Sequence, residues 1–461
     1  MDNTKAIFLY GPPASGKSTL AHELSNSLNC NELDTDNMIA EKAGCAISEI
    51  FAKDGEERFR DLESEALLEA IERSRRKKCV VALGGGTLLR QSNREACERA
   101  GNVICLDAPS DAELRRRLGL APGSRPLGDR SKERAEHYAS FGSRLAASFI
   151  LPDSLVLVGN CIAKVFIDSE KTVFDATVAS LYPLLAEKNM GIVPSGEVFK
   201  TPATVMELWH SFAKAGVGRK DTIMACGGGV TGDLTGFAAA TWMRGVQWFN
   251  FPTTLLSMVD ASTGGKTGCD LPDGKNLAGA FHSPRIVVID TDFLRTLPER
   301  ELLSGRAEML KHLVISGKPK CSLLHPTASM IADNLSVKVD IVREDPLETK
   351  GRRMLLNCGH TVGHAVETAL NYTLSHGEAV AMGCVEEARV AVRLGQADVK
   401  WPDELAEVFA ESGFKTEMPK GISFDSLKRL MRGDKKRVGN TVRFALPCGW
   451  GDVRVVPVDL S

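Results

Sequence analysis

The sequence predicts an α/β P-loop domain, a parallel sheet with helices on both faces. After it come an α/β nucleotide-binding domain and a mostly α-helical C-terminal domain. Three observations carry this prediction. The strand-like run Ala6–Tyr10 opens straight into Gly11-Pro-Pro-Ala-Ser15-Gly16-Lys17-Ser18-Thr19, and helical spacing follows. A second strand, Ile223-Met-Ala-Cys-Gly227, runs through Gly228 and Gly229 into another helix. Beyond residue 300, Glu308 and the i,i+4 pair His360 and His364 fall on helical stretches.

The bulk composition sets the frame. A chain of 461 residues holds two to four domains, at ~150 residues each. Hydrophobic content of 43% and charged content of 25% are ordinary for a globular protein. The net charge of −2 offers no basic surface for a nucleic-acid backbone. Any anionic substrate is therefore met by local cations. The twelve cysteines are scattered without a C-x-x-C pair, which predicts free thiols in a reducing cytoplasm. No signal peptide and no apolar run of membrane length is visible.

Gly11-x4-Gly16-Lys17-Ser18 has the full Walker A spacing. Its glycines let backbone N–H groups turn inward around phosphates at a helix N-terminus. Lys17 reaches the outer phosphates and Ser18 a Mg²⁺ ion. Glu32-Leu-Asp34-Thr-Asp36 reads as a strand ending in two carboxylates, one for the Mg²⁺ shell and one for a substrate hydroxyl. A solvated turn is the plain alternative for that pair. Arg60 lies on a helix, the strand 80–83 ends in Gly84-Gly85-Gly86, and Arg125 sits in a Gly/Pro-bearing stretch suited to a lid.

Taken together, GPPASGKST, LDTD, DGEERFRDLE, LGGGT and RPL, in that order over residues 5–150, resemble shikimate kinase. The resemblance implies MgATP-dependent phosphorylation of the shikimate 3-hydroxyl. Gly11, Ser15, Gly16, Lys17, Ser18 and Thr19 would hold ATP, with Ser18 and Asp34 at Mg²⁺. Asp36 would bind shikimate hydroxyls and act as base, and Arg60 would grip the carboxylate. Gly84, Gly85 and Gly86 would line the acid, and Arg125 would meet the transferring phosphate. The family has a second carboxylate-binding arginine followed four residues later by tyrosine. Arg134, with Tyr138, and Arg144, at the family's distance from the lid, compete for that role. Arg144 is expected to take it.

No Gly/Ser linker marks the seam. Residues 153–158 read as the last strand of the first sheet and 164–168 as a new strand. The expected domains are 1–160, 161–290 and 291–461.

In the second part, the turn at Gly227–Gly229 suits a pyrophosphate. The Gly-, Thr- and Lys-rich run from Phe251 to Asn276 suits a phosphorylated ligand. Glu308 with two of His360, His364 and His376 is the ligand set of a catalytic zinc. Spacing alone leaves open which two histidines take part.

The runs GGGVTGDLTGFAAATWMRG, FPTTLLSMVDASTGGKTG, GKNLAGAFHSP, TLPERELLSGRAEMLKH, LLNCGHTVGHAVE and HGEAVAMG resemble 3-dehydroquinate synthase over residues 165–461. The resemblance implies Zn²⁺ (or Co²⁺) on Glu308, His360 and His376, with His364 in proton transfer. NAD would meet Asp175, Glu197, Lys200, Gly228, Gly229, Asp233, Thr253 and Thr254. The substrate, 3-deoxy-D-arabino-heptulosonate 7-phosphate, would meet Asp260, Lys266, Asn276, Lys311, Lys338, Arg353, Asn357 and Lys435. Arg244 would reach in from the neighbouring subunit of a homodimer. Of these, Lys266, Lys311, Lys338, Arg353 and Asn357 are counted with His364 as catalytic. The family begins with further residues that form its first strands, and little precedes Lys164. Either the end of the first module takes their place or the first hairpin is trimmed.

The combined expectation is a cytoplasmic bifunctional enzyme acting on small molecules, with no membrane or nucleic-acid partner. Two alternatives stand beside it. The first module could be a nucleotide sensor that transfers no phosphate, against which Lys17, Asp34, Asp36, Arg60 and Arg125 argue. The second could be a sugar-phosphate cyclase of another specificity, or a metal alcohol dehydrogenase, which net NADH accumulation would reveal.

Overall fold

The computed structural model describes residues 6–108, 134–317, 324–371, 373–432, 437–438 and 441–461. The chain divides into two compact units, one of residues 1–170 with 285–292 and the other of 171–284 with 293–461. No helix among the described residues is long and apolar enough to cross a membrane.

The first unit is built on strands buried on both faces, so they read as unbroken apolar runs. β1 (Ala6–Tyr10) and β3 (Cys79–Ala82) are buried at every position. With β2 (Asn31–Asp34), β4 (Gly101–Leu106), β5 (Arg144–Leu151), β6 (Ser154–Asn160) and β13 (Ile286–Asp290) they lie in the order β2-β3-β1-β4-β5-β6-β13. Every pairing is parallel except that of β5 with β6. Ligand-bearing loops of such sheets leave the carboxyl ends of the strands. From β1 the chain turns through Gly16, at φ 94, into α1 (Lys17–Leu28). A left-handed residue immediately before a helix is a position for glycine. α2 (Thr35–Ala43) is capped by Asp34, and α3 (Ile47–Arg76) carries Arg60 beyond a break at Gly55. α4 (Gln91–Ala100) and the short α5 (Ala135–Ala139) complete the described helices used here.

One strand does double duty at the seam. Arg144 and Leu145 of β5 pair in parallel with Cys105 and Leu106 of β4. The same strand runs antiparallel to β6 along its length, and β6 pairs with β13. Asp290, at the end of β13, accepts from the backbone N–H of Cys161 and Ala163, each at 2.8 Å. The run at 153–158 is therefore not the last strand of an isolated first sheet. It is the second arm of a hairpin that pairs with residues 286–290. The strand expected at 164–168 is a correction too: Ala163–Phe166 is a helical turn, and the next strand is β7 (Thr172–Asp175).

In the second unit, β10 (Gln247–Pro252), β9 (Thr222–Gly227), β7 and β8 (Gly191–Val193) form a parallel sheet in that order. Asp175 ends β7 and caps α6 (Ala176–Leu181). α7 (Pro202–Lys214) packs in the same core as α8 (Gly229–Thr241). A β11–β12 hairpin (Lys266–Leu271, Gly274–Phe281) follows. The remainder is chiefly helical: α9 (Glu299–Ser316), α10 (Ala328–Glu344), α11 (His360–Ala369), α12 (His376–Arg393), α13 (Trp401–Glu411) and α14 (Phe424–Arg432). A small sheet of β14 (Arg437–Val438), β15 (Thr441–Gly449) and β16 (Asp452–Asp459) packs its apolar face against α11, α12 and α14.

Candidate active sites

At the carboxyl end of the first sheet, Lys17 Nζ donates to the carbonyls of Gly11 at 2.9 Å and Pro12 at 2.8 Å. This folds the lysine back over its own loop. Ser18 Oγ donates to Asp34 Oδ2 at 2.7 Å, so the two expected Mg²⁺ residues already meet. The other Asp34 oxygen accepts from the backbone N–H of Asp36 and Asn37 and holds the start of α2 in place. Asp36 then points inward, and its Oδ1 is buried with no hydrogen-bond partner among the described residues. Burial, with Asp34 and Glu63 nearby, pushes its carboxyl up to about 6.

Arg60 lies against the glycine turn so closely that a Cβ on Gly86 would fall 2.0 Å from its Nη1. Glu63, buried one turn along α3, pairs with Arg60 and accepts from Thr87 Oγ1 at 2.9 Å. Sequence reading passed over Glu63, although its i,i+3 spacing from Arg60 within a quoted motif was a usable signal.

The two arginines that compete for the second carboxylate contact have different surroundings. Arg144 Nε donates to Asp107 at 2.9 Å from the first position of β5. Arg134 instead hydrogen-bonds Tyr138, whose hydroxyl donates to the Gly85 carbonyl at 2.8 Å. Tyr10 donates to the same carbonyl at 3.3 Å. The arginine–tyrosine spacing of four is visible in the sequence, and it brings Arg134 to the tyrosine that meets the glycine turn, while Arg144 starts β5. Arg125 lies outside the described residues.

In the second unit, Gly228 precedes α8, leaving the backbone N–H groups of its first turn open to an anion. A Cβ on Gly227 would lie 2.8 Å from the Asp175 Cβ, so the ends of β7 and β9 meet here. Asp175 accepts from Thr177 N at 2.9 Å and from Ser195 Oγ at 2.8 Å. Lys200 is buried, pairs with Asp233 at 2.7 Å, and donates to Asn276 Oδ1 at 2.7 Å. Asn276, expected with the substrate residues, is thus tied to the nucleotide group. Glu197 faces Lys275 at 3.7 Å, and Thr253 is buried behind the loop.

The densest charge lies on α9, α10, α11 and α12. Glu308 is 0% exposed and Lys311 is 1% exposed, and the two form an ion pair. His360 Nε2 and His376 Nε2 each stand 3.5 Å from Glu308 Oε1. Burial alone would raise the Glu308 carboxyl, but Lys311 and His360 hold it below the usual carboxylate range. Burial would likewise lower His376, and Glu308 and Glu367 outweigh it and bring it up to about 10. A buried carboxylate whose oxygens lack a hydrogen bond of normal geometry, with one of them and two imidazole nitrogens within 4.8 Å of one another, fits a divalent metal. The donor set of one carboxylate and two imidazoles suits Zn²⁺ or Co²⁺.

Beside it, Lys338 Nζ donates to Asp260 Oδ1 at 2.7 Å. Burial would raise Asp260, yet Lys338 and Lys311 hold it well below its ordinary range. Arg353 is buried and donates to the carbonyls of Gly264 and Pro346, and its Nε has no hydrogen-bond partner among the described residues. Lys266 is half-exposed and paired with Glu348, a residue that no motif had pointed to. His364 lies on the exposed side of α11, its ring centroid 5.2 Å from that of His360. Asn357 is part-buried one turn before α11, and Thr254 follows Thr253 in the loop after β10. Arg244 is exposed at φ 70, and Lys435 lies outside the described residues.

Comparison with known families assigns one enzyme family to each part of the chain. Residues 13–147 match the model of the shikimate kinase family. Residues 190–304 match the N-terminal model of 3-dehydroquinate synthase, and 305–437 its C-terminal model. The 3-dehydroquinate synthase of Xanthomonas campestris pv. campestris (strain 8004) is 45% identical over 284 residues, covering 58% of this chain and 76% of the relative. The chain belongs to the 3-dehydroquinate synthase family. Ahead of its synthase part it carries a shikimate kinase domain, so both enzyme families are present in one polypeptide.

The synthase of Synechocystis sp. (strain ATCC 27184 / PCC 6803 / Kazusa) is 38% identical over 331 residues, 66% of this chain and 91% of the relative. Among solved structures, the 2-epi-5-epi-valiolone synthase ValA of Streptomyces hygroscopicus subsp. jinggangensis 5008, with NAD⁺ and Zn²⁺ bound, is 27% identical. It superposes with a TM-score of 0.58, covering 68% of this chain and 94% of that one. The synthase part therefore shares the fold of that synthase, whose structure holds NAD⁺ and Zn²⁺.

Proposed function

We propose that the kinase site phosphorylates the shikimate 3-hydroxyl from MgATP. We also propose that the synthase site converts 3-deoxy-D-arabino-heptulosonate 7-phosphate to 3-dehydroquinate and phosphate. One observation carries each half. For the kinase it is Asp36, inward and raised, beside a Ser18–Asp34 pair and the Arg60 guanidinium. For the synthase it is the Glu308–His360–His376 cluster adjoining Lys311, Lys338 and Asp260.

In the kinase, Arg60 and Arg134 grip the acid's carboxylate, a task for planar guanidinium groups. Asp36 accepts the hydroxyl proton, and Lys17 leaves its loop carbonyls for the nucleotide's phosphates. In the synthase, Glu308, His360 and His376 would hold the metal, and the β7–β9 glycine turn with Lys200 and Asp233 would hold NAD. When bound, these supply Lewis acidity and reversible hydride transfer. Lys311, Lys338, Lys266 and Arg353 bind and orient the anionic groups, and His364 moves a proton at the open side. The exposed Arg244 completes the site of a second copy in a homodimer, and the enzyme works in the cytoplasm.

A paired assay on the purified chain tests the reading. With zinc and NAD⁺ present, one sample receives heptulosonate phosphate and is read by phosphate release, and the other receives shikimate and MgATP and is read by ADP. Both activities are expected. Synthase turnover without ADP formation returns the first domain to a sensor role.

A further inference from the structure

We propose that Glu387 is a positioning residue for the metal site, acting on His360 through the peptide bond between Cys358 and Gly359. The proposal rests on reading Glu308, His360 and His376 as the metal ligands.

The two histidine-bearing helices start differently. α12 begins with its own capping box, Ser375 with Glu378. α11, whose first residue is His360, begins at Gly359, which has no side chain to cap it. Glu387 supplies the missing acceptor from α12. It is 0% exposed, and its Oε2 accepts from the Gly359 N–H at 2.7 Å. Its Oε1 accepts from the Val362 N–H at 3.1 Å. A carboxylate on the first turn of a helix is favoured by the helix dipole and by charge-assisted hydrogen bonds.

The Gly359 N–H belongs to the same planar peptide as the Cys358 carbonyl. That carbonyl lies 3.1 Å from His360 Nδ1. A carbonyl only accepts, so Nδ1 carries the proton and Nε2 keeps its lone pair. Nε2 is the nitrogen that faces Glu308. The chain of contacts therefore runs from the Glu387 carboxylate through one peptide to the imidazole and on to the metal position. A charged acceptor on the N–H also polarises the carbonyl at the other end, which strengthens its bond to Nδ1–H and the donor power of Nε2. Gly359 itself is closely packed: a Cβ on it would lie 2.4 Å from Cys384 Sγ, and one on Gly383 would lie 1.9 Å from the Gly359 carbonyl oxygen, in the next peptide along.

The test uses the full chain, stripped of metal and titrated with Zn²⁺ against a chromophoric chelator. Co²⁺ substitution adds a visible absorption band. Glu387→Gln keeps the size but removes the charge and turns an amide NH₂ toward one backbone N–H. The expected result is an about tenfold weaker zinc affinity and an altered Co²⁺ band, with shikimate kinase turnover unchanged. Glu386→Gln, at the neighbouring glutamate that pairs with Arg389, is expected to change neither readout. Zinc affinity within about twofold of wild type, with an unaltered band, overturns the proposal.

A double-mutant cycle separates positioning from general loosening. In a His360→Ala background, Glu387→Gln is expected to have no further effect on zinc binding, and a further loss there overturns the relay. Should the glutamine variant not fold, Glu387→Asp, which keeps the charge but withdraws it by one methylene, is read in the same way. If His360→Ala itself leaves zinc affinity undiminished, it is the ligand assignment that has failed.

Discussion

The two active sites of this chain solve the same problem, holding anions, with different materials. The kinase site uses backbone: a glycine loop, a helix N-terminus, and a lysine parked on two carbonyls until phosphate arrives. Its carboxylates, Asp34 and Asp36, lie two residues apart on one turn. The synthase site uses buried side-chain charge. Glu308, Lys311, Lys338 and Arg353 are all buried: Glu308 pairs with Lys311 along α9, Lys338 pairs with Asp260, and Arg353 donates to two backbone carbonyls. The difference teaches that a backbone-built site survives the loss of one side chain as a fold and fails as a catalyst. A charge-built site is expected to lose both.

Lys17→Met gives the sharpest contrast. It is expected to lower kinase turnover by about two to three orders of magnitude, as for other single charge-stabilising donors. Synthase turnover and thermal unfolding should not move, and a large drop in either would break the distinction. Lys311→Met is the counterpart. In zinc-free protein it leaves Glu308 buried beside one fewer cation, and denaturant unfolding of the synthase unit is expected to lose about 3–5 kcal/mol. A loss below 1 kcal/mol would mean that the histidines already carry the balance.

The arginines sharpen the comparison inside the kinase. Arg134→Met is expected to raise KM for shikimate by about 10–100-fold, the value of one charged hydrogen-bonded contact, while Arg144→Met leaves KM near wild type. The reverse order would restore the assignment made from distance alone. The smallest effect is in pH. As the proposed base Asp36 acts in its carboxylate form, and burial with Asp34 and Glu63 pushes it up to about 6. Kinase kcat/KM is therefore expected to fall as pH drops below about 6, by about tenfold per unit. A flat profile down to pH 5 would remove Asp36 as the base.

Much of this was legible before any coordinates. The P-loop, the Asp34–Asp36 pair and Arg60 fall within short motifs whose local geometry forces them together, and the structure places them so. The zinc set was legible only in part. Spacing offered three histidines, and the choice of His360 and His376 over His364 came from resemblance. In the structure Glu308 faces those two rings from α9, while His364 groups with Glu367 and His376. Glu348 against Lys266, and Asn276 against Lys200, join residues far apart in sequence, and nothing local announced either contact.

By itself, then, the sequence determined the two chemistries, because phosphate loops and metal-ligand helices are written in short spacings that backbone geometry enforces. Only the tertiary structure decided the seam. The run 153–158 reads locally as the last strand of one sheet, yet as β6 it pairs with β5 on one side and with residues 286–290 on the other. A strand's two hydrogen-bonding edges are identical backbone, indifferent to side chain, so which partners fill them is settled by what folds beside it. The same holds for Glu387, an unremarked residue in a helical run until the fold set it against the peptide whose carbonyl meets His360 Nδ1.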